Sequence, residues 1–295
     1  MADVAFIGLG TMGLPMAKHI VKGGFSVIGY DKSMDAVSAH VENGGIAASS
    51  AAEAAQNCPI IVTILPNGSI VDDAIFGKNG VIETISEGAL VIEMSTIDPS
   101  ETDSIRDKLN QHRIRMVEAP VGRTSDQAMI GKSLFMVGGE PQDIVIARPI
   151  LDCMGDTIID CGGPGMGSRM KIINNLMSTA LNVLTAEVLT FSDKVGLNRD
   201  LAIEVMNGTT AGKGHLSTSY PARVLKDDLS PIFMVDLAKK DLDIALNFAK
   251  TTNAPLPMSN QAQLIYAEAQ KEGRGTQDWT AIYAMLREKH YLQQK

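Results

Sequence analysis

The sequence predicts an α/β domain over residues 1–163, followed by an all-helical domain over 164–295 that a long interdomain helix opens. Three observations predict this division. Short Val/Ile-rich runs alternate with helix-patterned stretches as far as Asp160, the pattern of crossover units on a mostly parallel sheet. The turn-forming segment Gly162-Gly163-Pro164-Gly165 then interrupts the pattern. Beyond it, Met166 to Val195 holds no proline and is apolar at helical spacing, which predicts one long helix. At about 150 residues per domain, the 295 residues also fit two domains.

In chain order, Val4–Gly8, Ser26–Tyr30, Ile60–Leu65 and Leu90–Met94 read as buried strands, rich in Val and Ile and bounded by turn residues. Met12–Lys22, Met34–Glu42 and Ser100–Gln111 read as the helices between them. Arg115–Glu118 and Ser133–Val137 add two strands, Gln142–Leu151 a helix and Thr157–Asp160 a last strand. After Asp160 no strand signal appears, and the helical pattern is broken at Gly208, Pro221, Pro231, Pro255/Pro257 and Gly273/Gly275. No internal repeat or low-complexity segment occurs.

Composition narrows the function. With 45% hydrophobic and 20% charged residues, disordered, collagen-like and disulfide-stapled chains are excluded. A net charge of -8 argues against nucleic-acid binding, which needs a basic face. Cys58, Cys153 and Cys161 stand at unrelated spacings without a CxxC pair, and the five histidines are scattered, so no metal site is expected. The N-terminus lacks a basic leader before its apolar stretch, and the longest apolar run, near Ile60 to Leu65, is too short to span a bilayer. The expectation is a cytoplasmic protein with no membrane partner.

The most informative motif is Gly8-Leu9-Gly10-Thr11-Met12-Gly13, a GxGxxG placed directly after a strand and at the mouth of a helix. Gly8 permits the tight turn, Gly10 a close backbone approach to a pyrophosphate, and Gly13 close helix–strand packing. The helix N-terminus then offers unpaired N–H donors to the phosphates. Asp31 closes the second strand eighteen residues after Gly13. A carboxylate there accepts the adenosine ribose hydroxyls and repels a 2′-phosphate, which favours NAD over NADP. Lys32 beside it softens that discrimination. The strand ends at Leu65-Pro66-Asn67 and Ser95-Thr96 open on the same carboxyl edge, so Leu65 and Thr96 join the expected cofactor contacts. These features predict a Rossmann-type dinucleotide-binding domain.

The same GxGxxG segment with Met16, the stretch Glu118-Ala119-Pro120-Val121-Gly122, Gly165-Met166-Gly167 followed by Lys171 and Asn174, and Lys240-Asp241-Leu242 occur in that order. Together they resemble the β-hydroxyacid dehydrogenases along essentially the whole chain. The resemblance implies hydride exchange between NAD(H) and a short anionic hydroxyacid or aldehyde. It implies Lys171 as the catalytic acid–base, Lys240 as a cofactor contact, and a homodimer or homotetramer. Length counts against the 6-phosphogluconate dehydrogenases, whose helical domain is larger, and imine reductases replace the lysine.

Two departures stand out. Where most of the family reads Asp-Ala-Pro-Val-Ser-Gly-Gly, this chain continues Gly122-Arg123-Thr124-Ser125. A second unusual stretch is Gly208-Thr209-Thr210-Ala211-Gly212-Lys213-Gly214-His215. The pair is similar to a branch that reduces a sulfonated aldehyde with NADH.

On chemistry alone, Lys171 is a proton donor if it is partly buried, since desolvation lowers a lysine pKa toward the working range. As a surface lysine on a helix it would do nothing of the kind. Asn174, Asn175 and Ser178 follow it by three, four and seven residues and so share its helix face. They read as substrate contacts or as a hydrated seam between helices. Arg123 offers a fork suited to a carboxylate or a sulfonate. Lys213 and His215 add positive potential. Trp279 and most of the 16 methionines read as packing residues. Three readings stay open: a sulfonate aldehyde reductase, a reductase of a short carboxylate semialdehyde, and an NAD-binding protein without catalysis.

Overall fold

The computed structural model describes residues 3–292. The chain forms two compact units, Met1–Leu176 and Met177–Lys295.

The first unit is built on a six-stranded parallel sheet. Its strands are β1 (Val4–Ile7), β2 (Val27–Tyr30), β3 (Ile46–Ala47), β4 (Ile60–Thr63), β5 (Leu90–Glu93) and β6 (Arg115–Glu118), in the order β3-β2-β1-β4-β5-β6. Val4 lies beside both Val27 and Ile60, and Ile60 beside Leu90. The central strands are buried on both faces, so their sequences are continuous apolar runs rather than alternating ones. One core cluster, including Phe6, Met16, Ile20 and Ile92, and another, including Ile7, Ile61, Ile75 and Ile105, fill the space around the sheet.

The helices that accompany this sheet are α1 (Gly13–Lys22), α2 (Met34–Glu42), α3 (Ala51–Ala55), α4 (Gly68–Phe76) and α5 (Pro99–Gln111). Their starts follow local chemistry. Ser33 and Asn67 accept N–H bonds that cap α2 and α4, and Asp98 with Glu101 forms a capping box ahead of α5, which has Pro99 at its first position. The elements α3, α4 and β3 have no counterpart in the strands and helices expected from sequence. Ala51–Ala55, four alanines around Glu53, is too short to show a period, α4 starts at a glycine, and β3 is an exposed pair.

A second sheet follows: β7 (Val121–Gly122), β8 (Ser133–Val137) and β9 (Gly155–Asp160), with β7 antiparallel and β9 parallel to β8. It carries α6 (Ser125–Met129) and α7 (Pro141–Met154). The long helix α8 (Met166–Lys194) begins in the first unit and continues into the second.

The second unit holds α9 (Arg199–Gly208), α10 (Thr210–Lys213), α11 (Ser219–Ala222), α12 (Val235–Thr251), α13 (Pro257–Lys271) and α14 (Ala281–Leu292). No named strand occurs here among the described residues; Met234 and Asp278 form a single bridge. Pro257 starts α13 instead of breaking a helix, because a first-turn residue has no N–H partner to lose. Two small clusters hold this unit together, Val235, Ala269, Ala281 and Met285 in one and Leu246, Ala249 and Leu256 in the other.

Helix α8 departs from one expectation. By length and composition it is apolar enough to cross a membrane, with a mean hydropathy of 1.2 over its best window. It holds no long uninterrupted apolar run, because Asn174, Asn175 and Ser178 break the pattern. Ile173 and Leu176 on it are 62% and 65% exposed.

Candidate active site

Because the six strands run parallel, their carboxyl ends open along one edge, and the sheet order reverses between β1 and β4. Ligands bind at such a reversal. A cleft of about 340 Å³ lies there, lined in part by Gly8, Tyr30, Asp31, Leu65, Pro66 and Asp73.

The three motif glycines differ in what they permit. Gly8 has φ +101°, and a Cβ on it would come within 2.2 Å of the Ile64 carbonyl oxygen. A Cβ on Gly13 would sit 1.9 Å from the Gly8 carbonyl oxygen, so α1 can press against the turn only because both are glycines. Around Gly10 nothing lies within 4 Å of that position, which leaves its backbone open to a phosphate. Thr11 is exposed and Met12 occupies the cap position of α1. The first turn of α1 has no acidic residue and Met12 makes no side-chain cap, so the N–H groups and the positive end of the helix dipole stay available to an anion.

Asp31 is fixed by its own backbone surroundings. One carboxylate oxygen accepts the Leu9 N–H at 2.7 Å and the other the Ser33 N–H at 2.8 Å. The carboxylate is thereby tied to the glycine turn itself. Lys32 lies 3.8 Å from Asp73, an exposed pair. Leu65 donates its N–H to the Ser95 hydroxyl at 2.8 Å, which joins two strand ends, and Thr96 beside it is exposed.

Beneath these loops lies a buried carboxyl that sequence reading did not single out. Glu93 ends β5 at 2% exposure, accepts the Ser95 N–H at 2.6 Å and a hydrogen bond from the Thr63 hydroxyl. Burial pushes its pKa up to about 7, against the pull of those donors. Its neighbour across the ladder is Glu118, also buried, at the end of β6. Burial raises the Glu118 carboxyl too, while the Gly165 N–H and Arg106 pull it back. The signal was present as an acidic residue at the end of each apolar strand.

Lys171 lies just inside α8. It is half-buried, and its ammonium donates to the Val121 carbonyl oxygen at 2.6 Å. Burial lowers its pKa from the ordinary lysine value. The side chain is therefore held rather than trailing in solvent, and its proton is more readily given up. Asn174 donates to the Asn175 side chain at 3.3 Å. Ser178 is exposed one turn further along the same helix.

Arg123 follows β7 with φ +71°, a left-handed conformation that side chains rarely adopt. The backbone thus keeps the shape of the glycine that most of the family has there. Its guanidinium donates to the Lys132 carbonyl and the Asp156 carboxylate, each at 2.6 Å, and to the Thr157 hydroxyl at 3.0 Å. Asp156 and Thr157 were not among the expected site residues.

In the second unit, Lys240 on α12 is exposed and pairs with Asp241 at 3.0 Å. Lys213 is exposed, while the His215 ring packs edge-on against Trp279 at 4.8 Å. Trp279 in turn meets Phe233 at 5.2 Å, so it is a packing residue as expected. No cluster of three or more metal-ligating side chains occurs among the described residues.

Comparison with known proteins agrees with this architecture. Residues 3–163 match the NAD-binding domain of 6-phosphogluconate dehydrogenase, and residues 165–286 match the NAD-binding domain of NADP-dependent 3-hydroxyisobutyrate dehydrogenase. Over 287 residues the chain is 46% identical to a 3-sulfolactaldehyde reductase of Escherichia coli K12, covering 97% of this chain and 96% of that protein. It is 31% identical to the mitochondrial 3-hydroxyisobutyrate dehydrogenase of Bos taurus, covering 97% and 87%. A 3-hydroxyisobutyrate dehydrogenase of Mycobacterium tuberculosis, solved with L-serine, superposes with a TM-score of 0.69 at 29% identity, covering 97% and 99%.

Proposed function

The chain belongs to the 3-hydroxyisobutyrate dehydrogenase-like family of NAD-dependent oxidoreductases acting on CH–OH groups, and from that membership we propose that it reduces 3-sulfolactaldehyde with NADH to 2,3-dihydroxypropane-1-sulfonate. The observation that carries the substrate is the near-full-length likeness to a reductase of that aldehyde. The site supports it with a lysine held half-buried and an arginine in a glycine-shaped turn.

The residues present fit a dinucleotide: an open Gly10, an uncapped start to α1 and Asp31 at the strand end. NADH, when bound, supplies the hydride. Gly8, Gly10, Thr11, Met12 and Gly13 bind the pyrophosphate and Asp31 the ribose. Leu65, Thr96 and Lys240 complete the cofactor contacts. The carboxylate of Asp31 repels a 2′-phosphate, which is why NADH is preferred. Lys171 polarises the aldehyde oxygen and passes its proton to the alkoxide; in the reverse direction the neutral amine takes it back. Asn174, Asn175 and Ser178 bind the substrate's hydroxyl and carbonyl oxygens. Arg123 holds the sulfonate, for which it exchanges or shares its contacts to Asp156 and Thr157.

We assign residues 1–163 most of the cofactor contacts together with Arg123, and residues 164–295 Lys171, the remaining substrate contacts, Lys240 and self-association. A helix as apolar and as exposed as α8 is covered by a second copy of the chain in a homodimer or homotetramer. We place the enzyme in the cytoplasm, without nucleic-acid or membrane partners.

The test is NADH oxidation with 3-sulfolactaldehyde, with the product identified by mass. Formation of the diol sulfonate in step with NADH loss supports the reading. Turnover confined to succinic, tartronate or methylmalonate semialdehyde would leave a dehydrogenase of the same family with a different substrate.

A further inference from the structure

Glu118 is buried at 1% exposure, yet no step of the reaction proposed above uses it. Its surroundings point to the start of α8. One oxygen, Oε1, accepts the Gly165 N–H at 2.7 Å and an Arg106 N–H at 3.2 Å. Gly165 immediately precedes α8, so a carboxylate from β6, 47 residues earlier, receives the N–H at the entry to the helix. The backbone N–H of Ser168, in the first turn of α8, also stabilises the carboxylate, whose second oxygen, Oε2, is buried.

A ring of contacts continues from Glu118. Arg106 on α5 also holds Asp103 at 2.7 Å. Asp103 holds Arg169 at 2.7 Å, and Arg169 returns to the Gly165 carbonyl oxygen at 2.9 Å. The first turn of α8 is thus gripped at an N–H by Glu118 and at a carbonyl by Arg169. Backbone fit is just as close. A Cβ on Gly167 would lie 2.6 Å from the Met136 carbonyl oxygen, and one on Gly138 would lie 2.5 Å from the Gly167 nitrogen. Lys171 comes one helical turn after Gly167, and its ammonium reaches Val121, three residues after Glu118. The segment 118–121 therefore holds both the start of the helix and the head of the lysine.

We propose that Glu118 is a positioning residue for Lys171, setting the first turn of α8 so that the lysine head reaches Val121 and the reacting oxygen. The proposal rests on Lys171 being the proton donor. A shift of about 1 Å in that turn would move the ammonium out of reach, which is enough to cost about a hundredfold in rate.

The test combines Glu118→Gln with Lys171→Ala in a double-mutant cycle, together with acetylation of the unliganded protein by acetic anhydride, read by mass spectrometry. Glu118→Gln keeps the size and loses the charge. It should lower kcat by about tenfold or more with NADH affinity unchanged within about twofold, and Glu118→Asp should recover part of the loss. In the Lys171→Ala background the same change should have almost no further effect, because the two residues act as one unit. Acetylation of Lys171 should speed up by about threefold or more relative to Lys78, once the grip on the helix is loosened. If Glu118→Gln does not fold, Asp103→Asn opens the same ring from its more exposed side and should show the same non-additivity. Equal losses in both backgrounds, or unchanged acetylation of Lys171, would overturn the proposal. Full turnover in Lys171→Ala alone would instead overturn the reading of the lysine, a distinct result.

Discussion

Replacing Lys171 by methionine separates chemistry from stability. Methionine keeps most of the aliphatic stem but removes the ammonium. General acid–base catalysis contributes about 10²–10⁴-fold, so kcat for aldehyde reduction should fall by about a thousandfold, equivalent to about 4 kcal/mol. The fold should hardly respond. The Val121 carbonyl loses its donor, a cost of about 1 kcal/mol. Against this, a charge that burial disfavours is no longer taken out of water. The sign follows from the direction of the shift: the folded state holds the lysine proton less tightly than the unfolded chain, so the charged lysine opposes folding below its lowered pKa. The two effects nearly cancel, and Tm should move by only about 4 °C or less. The assay pairs steady-state kinetics with NADH fluorescence titration and thermal unfolding. Wild-type reduction should decline as pH rises through the lowered lysine pKa, and the variant's residual rate should lack that decline. Retention of more than about a tenth of wild-type kcat, with NADH still bound, would refute the proton-donor role.

Three further outcomes are expected. Asp31→Ser should lower kcat/KM for NADH by about tenfold while leaving NADPH unchanged or improved; equal loss with both cofactors would remove Asp31 from selectivity. Arg123→Gly should raise KM for the sulfonate aldehyde by about tenfold or more with little change in kcat. Its effect on Tm should be small, because glycine relieves about 1 kcal/mol of left-handed strain while a half-exposed ion pair worth about 1 kcal/mol or less is lost; a fall in kcat with KM unchanged would contradict anchoring. Glu93→Gln should flatten the pH dependence of stability. The folded protein keeps the Glu93 proton up to about pH 7, whereas the unfolded chain loses it near 4.5. Wild-type stability relative to the variant should therefore fall by up to about 3 kcal/mol as pH rises across that window, and a rise measured by denaturant titration would refute the burial argument.

Much of the fold was legible because parallel, doubly covered strands leave continuous apolar runs, and Val4, Ile60 and Leu90 mark such runs plainly. The glycine motif was legible for a related reason, since a Cβ at Gly8 or Gly13 cannot fit. The elements that escaped leave weak periodic signals: α3 is only five residues, four of them alanine, and β3 only two. The burial of Lys171 depends on Val121, fifty residues away in sequence, and no local pattern reveals such a contact. The partners of Arg123 were hidden in the same way, because Asp156 and Thr157 come beside it only through the pairing of β7 and β9 with β8. Glu93 and Glu118 were visible as acidic residues at strand ends, but only the register of the sheet sets them side by side.

The most direct test of the substrate assignment is a competition in one vessel. Equal concentrations of 3-sulfolactaldehyde and succinic semialdehyde, with limiting NADH, yield a product ratio equal to the ratio of the two kcat/KM values. The account predicts an excess of the sulfonate diol of about a hundredfold, or about 2.7 kcal/mol of differential transition-state binding. An equal mixture of products, or an excess of the hydroxy carboxylate, would contradict it.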